Sequence, residues 1–209
     1  FHEVMAEDSG QSVLSSLESH ILPLVPGLTA RLEQGIRMLD LGCGRGRILR
    51  RLASSYPNSR FVGIDLSEEA TSFARHESKG LENVEYIAGD LSDFDRTAEP
   101  AAFDLVTTFD AIHDQALPLN VLKGIRRTLK PGGVYLMQDI SGTSHVHKDM
   151  AHPLGTLLYT ISCMHCMTVS LAQGGQGVGA MWGEEKTREY LTLAGFTSID
   201  TKTIPLDIM

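Results

Sequence analysis

Cysteine is scarce in this chain: Cys43, Cys163 and Cys166 are the only three. An odd, low count excludes a disulfide framework and fits a reducing compartment, so the expected location is the cytoplasm. Positive charge is short as well. There are 18 Lys and Arg against 26 Asp and Glu, a net charge of -8. Phosphate backbones select basic surfaces, so nucleic acid is excluded as the main partner. The basic run GRGRILRR, Gly44 to Arg51, reads as a solvated helix face. There is no secretory signal pattern and no internal repeat. The chain opens on Phe1 rather than Met, which fits a piece of a longer protein.

Charge of either sign is missing from Met150 to Gly183. Such a stretch is long enough to raise a membrane span. His152, His165, several Ser and Thr and the run QGGQGVG dilute it too far, so no membrane is expected. The expectation is a buried segment that builds an acceptor pocket. Leu154, Leu157, Leu158, Ile161, Met164 and Leu171 make one helical face of it, with Tyr159, Cys163, Cys166 and Met167 towards another. A dimer or interdomain contact is the competing reading of the same face.

What is present is an alternation of strands and helices. Residues 11–34 read as helical with a break near Pro23 to Gly27, where Leu14, Leu17, Ile21, Leu22 and Val25 keep helical spacing. Strands are expected at 38–41, 61–65, 84–90, 103–110, 134–140 and 198–204, with helices at 47–56, after Ser67, at 117–129 and at 184–194. Ser67 suits a helix cap, with Glu68 and Glu69 at the positive end. This order predicts an α/β fold, a Rossmann-like, doubly wound, mostly parallel sheet. The expected division is a helical lead-in at 1–35, a cofactor-binding core at 36–141, the uncharged insert at 142–183 and a closing helix and strand at 184–209.

Ligands of such sheets sit beyond the carboxyl ends of the strands, so the residues after each strand carry the functional reading. After the first strand come Gly42, Gly44 and Gly46, which permit a tight turn and close backbone approach. After the second comes Asp65, 19 residues beyond Gly46 and so placed to accept ribose hydroxyls. After the third come Asp90 and Leu91, which suit an adenine amino group and ring. After the fourth comes FDAIHDQ, Phe109 to Gln115, with Asp110, His113 and Asp114 where a reacting group would lie. A histidine there suits a general base. A dinucleotide fingerprint would need glycine where Arg47 stands, which weighs against a nicotinamide oxidoreductase.

LDLGCGRG, GIDLS, AGDLSDF, FDLVTTFDAIHD and LKPGG, taken in order, resemble the successive motifs of class I S-adenosylmethionine-dependent methyltransferases, from Met38 to Ile140. AGF, Ala194 to Phe196, also fits. HDQALP, YLMQDI, HPLGTLLYTISCMHCMTVSLAQGG and GAMWGEE are similar to a subgroup of bacterial and animal enzymes that usually carries an N-terminal winged-helix-like domain. That domain is absent from this sequence. The family's sheet also ends with a seventh, antiparallel strand, of which at most a piece from Asp207 is present.

The resemblance implies S-adenosyl-L-methionine as cofactor. Asp40, Gly42, Cys43, Gly44 and Gly46 would hold its methionine portion. Asp65 would take the ribose, Asp90 and Leu91 the adenine, and Leu66 is a further cofactor-binding residue. Phe109 and Asp110 would contact the methionine amino end. His113 and Asp114 are the expected catalytic residues, His113 as base or as the group that orients the acceptor. The expected partner is a small, partly apolar acceptor molecule, with a homodimer as the further association. A non-catalytic cofactor-binding or interaction module is the alternative function. CMHC, Cys163 to Cys166, has zinc-ligand types, but no second pair follows, and the expectation is packing with no metal.

Overall fold

The computed structural model describes residues 13–203. The chain divides into two compact units. The described part of Phe1–Asp90, with Glu99–Phe109 and Thr128–Met137, makes the first. Leu91–Ala98, Asp110–Arg127 and the described residues from Gln138 on make the second.

The first unit is built on a sheet of five strands: β1 (Arg37–Leu41), β2 (Arg60–Asp65), β3 (Val84–Ala88), β4 (Phe103–Phe109) and β5 (Leu129–Gln138). Their order is β3-β2-β1-β4-β5. β1 pairs in parallel with β2 and with β4, and β2 in parallel with β3. Met38, Leu39 and Leu41 are buried without a polar alternation, as a strand covered on both faces requires. The strand order reverses between β1 and β4, which is where such sheets bind ligands. The register sets Asp40 of β1 beside Thr107 of β4.

Helix α1 (Leu28–Gln34) follows a break at Val25 to Gly27, as the sequence pattern requires. Residues 1–12 of the expected lead-in lie outside the described residues. Helix α2 (Arg47–Ser55) buries Ile48, Leu49, Leu52 and Ala53, and Arg51 pairs on the surface with Glu18. Helix α3 (Glu68–Glu77) is capped as its sequence foretells: the Ser67 hydroxyl accepts from the Ala70 N–H at 3.2 Å.

In the second unit, α4 (Phe94–Thr97) meets α5 (Pro118–Thr128) at Gly124. A Cβ built on Gly124 would lie 2.3 Å from Phe94 Cδ1 and 2.6 Å from the Phe94 carbonyl. Alanine ordinarily strengthens a helix by about 1 kcal/mol over glycine. Here the obstruction is backbone, which cannot swing aside. Gly124→Ala is therefore expected to destabilise the protein by roughly 1–3 kcal/mol, read as a lower denaturation midpoint. A midpoint at or above wild type would show that the two helices separate freely.

Beyond α6 (Val146–Asp149), the uncharged stretch folds as α7, Gly155–Ala172, with one π turn at Ser162–Cys166. By length and composition alone α7 could cross a membrane, and 28% of it is buried. Its buried stripe differs from the expected one. Gly155, Leu158, Ser162, Cys166 and Ser170 face inward, whereas Leu157, Met164 and Leu171 are 53%, 76% and 53% exposed. The π turn carries an extra residue and rotates the stripe for Leu171 beyond it, whereas Leu157, which precedes it, is exposed beside buried Leu158. Serines hold the inward face: Ser162 Oγ accepts from the Ala180 N–H at 2.9 Å, and Ser170 Oγ donates to the Gln115 carbonyl at 2.9 Å.

Helix α8 (Gly183–Leu193) closes the described chain. The expected sixth strand does not form over the described part of its range: residues 198–203 are in no strand and are mostly exposed. Ile204, and the piece of seventh strand expected from Asp207, lie outside the described residues.

Candidate functional site

The first unit presents a glycine loop between β1 and α2. Gly42, Gly44 and Gly46 have φ of +73°, +51° and +70°, a region that side chains with a Cβ rarely adopt. The loop is tied to the end of β2. Gly42 N–H donates to the Ile64 carbonyl at 2.8 Å, and Gly44 N–H donates to Asp65 Oδ2 at 2.8 Å. Asp65 Oδ1 accepts from the Ser67 N–H at 2.9 Å. One carboxylate thus fixes the loop and the entry to α3 together. A Cβ on Gly44 would meet nothing within 4 Å, so the backbone there faces open space. On Gly46 it would lie 2.5 Å from the Tyr86 ring, whose hydroxyl donates to the Gly46 carbonyl.

Beneath the loop, Asp40 is 3% exposed. Burial pushes its pKa up to about 7; the Thr107 hydroxyl, donating to Oδ1 at 2.7 Å, works against this, and the nearby Asp65 charge adds to it. Burial also pushes the Cys43 thiol up, so Cys43 is no ready nucleophile.

The second unit holds a polar cluster. His113 is 1% exposed. Its Nδ1 lies 2.7 Å from Asp139 Oδ1, and its Nε2 lies 3.3 Å from Asp114 Oδ1 and 3.8 Å from Asp110 Oδ1. Asp139 is itself fixed, because Oδ1 also accepts from the Ile140 N–H at 2.8 Å and Oδ2 from Trp182 Nε1 at 3.2 Å. His165 Nε2 lies 3.4 Å from Asp114 Oδ2. Burial pushes the Cys166 thiol up, the neighbouring His113 works against this, and the Asp114 charge adds to it. Burial alone would keep the His113 ring neutral, but the charge and hydrogen bond of Asp139, with Cys166 and Asp110, prevail and raise its pKa well above the usual value. Asp110 has φ of +52°, an uncommon conformation for any residue with a Cβ, and such backbone tends to occur at functional sites.

Residues 32–195 match a family described as methyltransferase domain. The chain belongs to this family. The ubiquinone biosynthesis O-methyltransferase of Thiobacillus denitrificans is 34% identical over 100 residues, which is 47% of this chain and 42% of that enzyme. Two solved structures share the fold of this methyltransferase domain. One is an O-methyltransferase family protein from Burkholderia thailandensis, with a TM-score of 0.69 and 20% identity over 97% of this chain and 55% of that one. The other is the trans-methyltransferase CalH in complex with SAH, with a TM-score of 0.57 and 25% identity over 81% of this chain and 47% of that one. The chain spans less than half the length of the first curated relatives it matches.

The methyltransferase domain gathers its sequence-predicted residues in two places. Asp40, Gly42, Cys43, Gly44, Gly46 and Asp65 share the loop region of the first unit. Leu66, beside them, is 53% exposed, and Asp90 and Phe109 stand after or at the ends of β3 and β4. His113, Asp114 and Asp110 share the cluster of the second unit, while Leu91, also in that unit, is buried. Four further members of the cluster are not among the expected site residues: Asp139 and Trp182, and also His165 and Cys166, whose CMHC run is weighed for zinc and assigned to packing. The rule of looking just past each strand would have found Asp139. It was hidden because YLMQDI reads as strand through Ile140, whereas β5 ends at Gln138. Trp182 carried no comparable signal.

Proposed function

We propose that this methyltransferase domain transfers a methyl group from S-adenosyl-L-methionine to a small, partly apolar acceptor. The observation that carries the reading is the glycine loop pinned by Asp65, open to space at Gly44, in a chain that matches the family from residue 32 to residue 195. The residues fit the cofactor. Gly42, Cys43, Gly44 and Gly46 would hold its methionine portion above Asp40, Asp65 its ribose, Asp90 and Leu91 its adenine, and Phe109 and Asp110 its amino end, with Leu66 a further cofactor-binding residue. A carboxylate has lone pairs to spare, so Asp65 can hold the loop and still accept from ribose hydroxyls. The CalH complex supports the same cofactor. When bound, it supplies a methyl group on a sulfonium centre, which needs no activation by the protein.

The chain's own residues then have two tasks: to align the acceptor and to keep out water. His113 and Asp114 are proposed for the first. The two roles open to His113 are proton acceptance and orientation. Its raised pKa favours orientation, because an imidazolium has no lone pair to take a proton. We place the protein in the cytoplasm, with no nucleic-acid or membrane partner and with a homodimer as its association.

His113→Ala is expected to bind S-adenosylmethionine within a few-fold of wild type and to lose turnover by roughly 100-fold or more, as misaligned reactants do. Isothermal calorimetry and a tritiated-methyl assay against an acceptor panel measure the two. Full turnover in the variant removes His113 from the mechanism.

A further inference from the structure

The second unit contains more metal-ligand chemistry than methyl transfer needs. His113, Asp114 and Cys166 each offer one ligand atom, and those atoms all lie within 4.8 Å of one another. They come from two elements, the loop after β4 and the π turn of α7. Tetrahedral zinc with bonds of about 2.0–2.3 Å sets its ligand atoms roughly 3.3–3.7 Å apart. Nε2 of His113 and Oδ1 of Asp114 already stand at 3.3 Å. The thiolate has at most about an ångström to close.

The surroundings point each donor inward. His113 turns Nε2 to the cluster because Nδ1 is engaged by Asp139, which is braced by Trp182 and the Ile140 N–H. Asp114 turns Oδ1 the same way because Oδ2 faces His165. Such outer partners fix the ring orientation and basicity of metal ligands. Asp114 Oδ1 is buried without a hydrogen-bond donor among the described residues. Asp139 is not a ligand itself in this arrangement, since it engages Nδ1, the ring nitrogen turned away from the three donors. The sequence alone favours packing for CMHC because no second Cys pair follows. The second half of the donor set comes from His113 and Asp114, about fifty residues upstream, and only the fold brings it there.

We propose that His113 Nε2, Asp114 Oδ1 and Cys166 Sγ form a three-ligand site for a divalent transition ion of zinc's class, with one coordination position left open. The thiolate and imidazole select a borderline-soft ion over magnesium or calcium. If the methyl-transfer reading holds, the open position takes the acceptor's ionisable oxygen or sulfur, and His113 and Asp114 orient it through the ion, whose binding displaces the Nε2 proton of the metal-free ring. Metal binding itself does not depend on that reading.

The test is titration of the 209-residue chain, stripped with chelator, with cobalt(II) chloride under anaerobic conditions, followed by competition with zinc. Expected is one cobalt per chain, with visible bands of a low-coordinate ion and a near-ultraviolet thiolate charge-transfer band, all displaced by zinc. Cys166→Ser should abolish the charge-transfer band, and His113→Gln and Asp114→Asn should each weaken binding by 100-fold or more. Cys163→Ser should bind as wild type does, since Cys163 is exposed. Circular dichroism and S-adenosylmethionine calorimetry on every sample separate a lost metal from a lost fold. Absence of stoichiometric cobalt from a chain that still binds S-adenosylmethionine overturns the metal site and leaves the methyltransferase reading standing. An unchanged thiolate band in Cys166→Ser overturns it equally. Cobalt binding with all three variants behaving as expected, in a chain that binds no S-adenosylmethionine, supports the metal site and removes the methyl-transfer reading instead.

Discussion

Asp65→Ala is expected to weaken S-adenosylmethionine binding by at least about 100-fold in calorimetry, and S-adenosylhomocysteine binding by a similar factor. The size follows from two separate losses. The first is the pair of charge-assisted hydrogen bonds proposed to the ribose, each worth about 1.5–3 kcal/mol. The second is the brace on the loop. Without the carboxylate, Gly44 N–H and Ser67 N–H both lose their acceptors, and the loop must be ordered at the expense of binding. Either loss alone is enough for a tenfold effect, since tenfold is about 1.4 kcal/mol. Asp65→Asn separates them. An amide oxygen can still accept from one backbone N–H, so the loop is partly kept, but the charge is gone. A smaller loss in Asn than in Ala assigns the difference to the loop. NADH should bind neither protein. Undiminished affinity in Asp65→Ala would reject the ribose assignment, and a drop in melting temperature with intact affinity would leave Asp65 a purely structural brace.

Asp40 is expected to make cofactor affinity rise with pH. Its carboxyl, buried and close to the Asp65 charge, has a folded-state pKa of about 7 against an ordinary 3.8. The sulfonium and ammonium of the cofactor, placed over the loop as proposed, favour the ionised form. Binding at pH 6 must therefore expel a proton, and binding at pH 8 need not. If the proton is fully lost in the complex, affinity climbs about tenfold between pH 6 and pH 8 and then levels off. Asp40→Asn should flatten the profile and hold affinity at or below the low-pH value. The stability consequence has the opposite sense. An acid whose pKa is higher folded than unfolded favours the fold below the unfolded value, and that advantage is lost as pH rises from about 4 to about 7. At pH 8 the unliganded Asp40→Asn protein should accordingly melt above wild type. A flat wild-type affinity profile would show that the cofactor does not sense Asp40.

Both predictions rest on residues legible in the sequence, and the reason is the parallel sheet. Strands covered on both faces must be apolar, so an acid at Asp40 or just after Ile64 stands out against its neighbours. The strand-end rule then assigns it a ligand without knowledge of the packing. The glycine loop is legible for a similar reason: positive φ at Gly42, Gly44 and Gly46 is a local requirement, written in local residues. Ser67 as helix cap belongs to the same class.

What escaped the sequence depended on partners far along the chain. The inward stripe of α7 is not legible because serines that bond to Gln115 and Ala180 look no different from exposed serines, and because a π turn rotates the stripe beyond Ser162. The expected strand at 198–204 does not form over its described part, where the residues are mostly exposed and Asp200, Thr201, Lys202 and Thr203 supply no apolar face to bury.

The sequence by itself determined strands β1 to β4, the glycine loop and the acid at the end of β2, because each is fixed by neighbours within a few residues. Only the tertiary structure decided what surrounds His113. Asp139, Cys166 and Trp182 lie 26, 53 and 69 residues away in the chain, and no spacing rule links them. A buried charge is tolerable only beside partners that offset its desolvation, so the chemistry of that histidine is set by where the fold brings those partners.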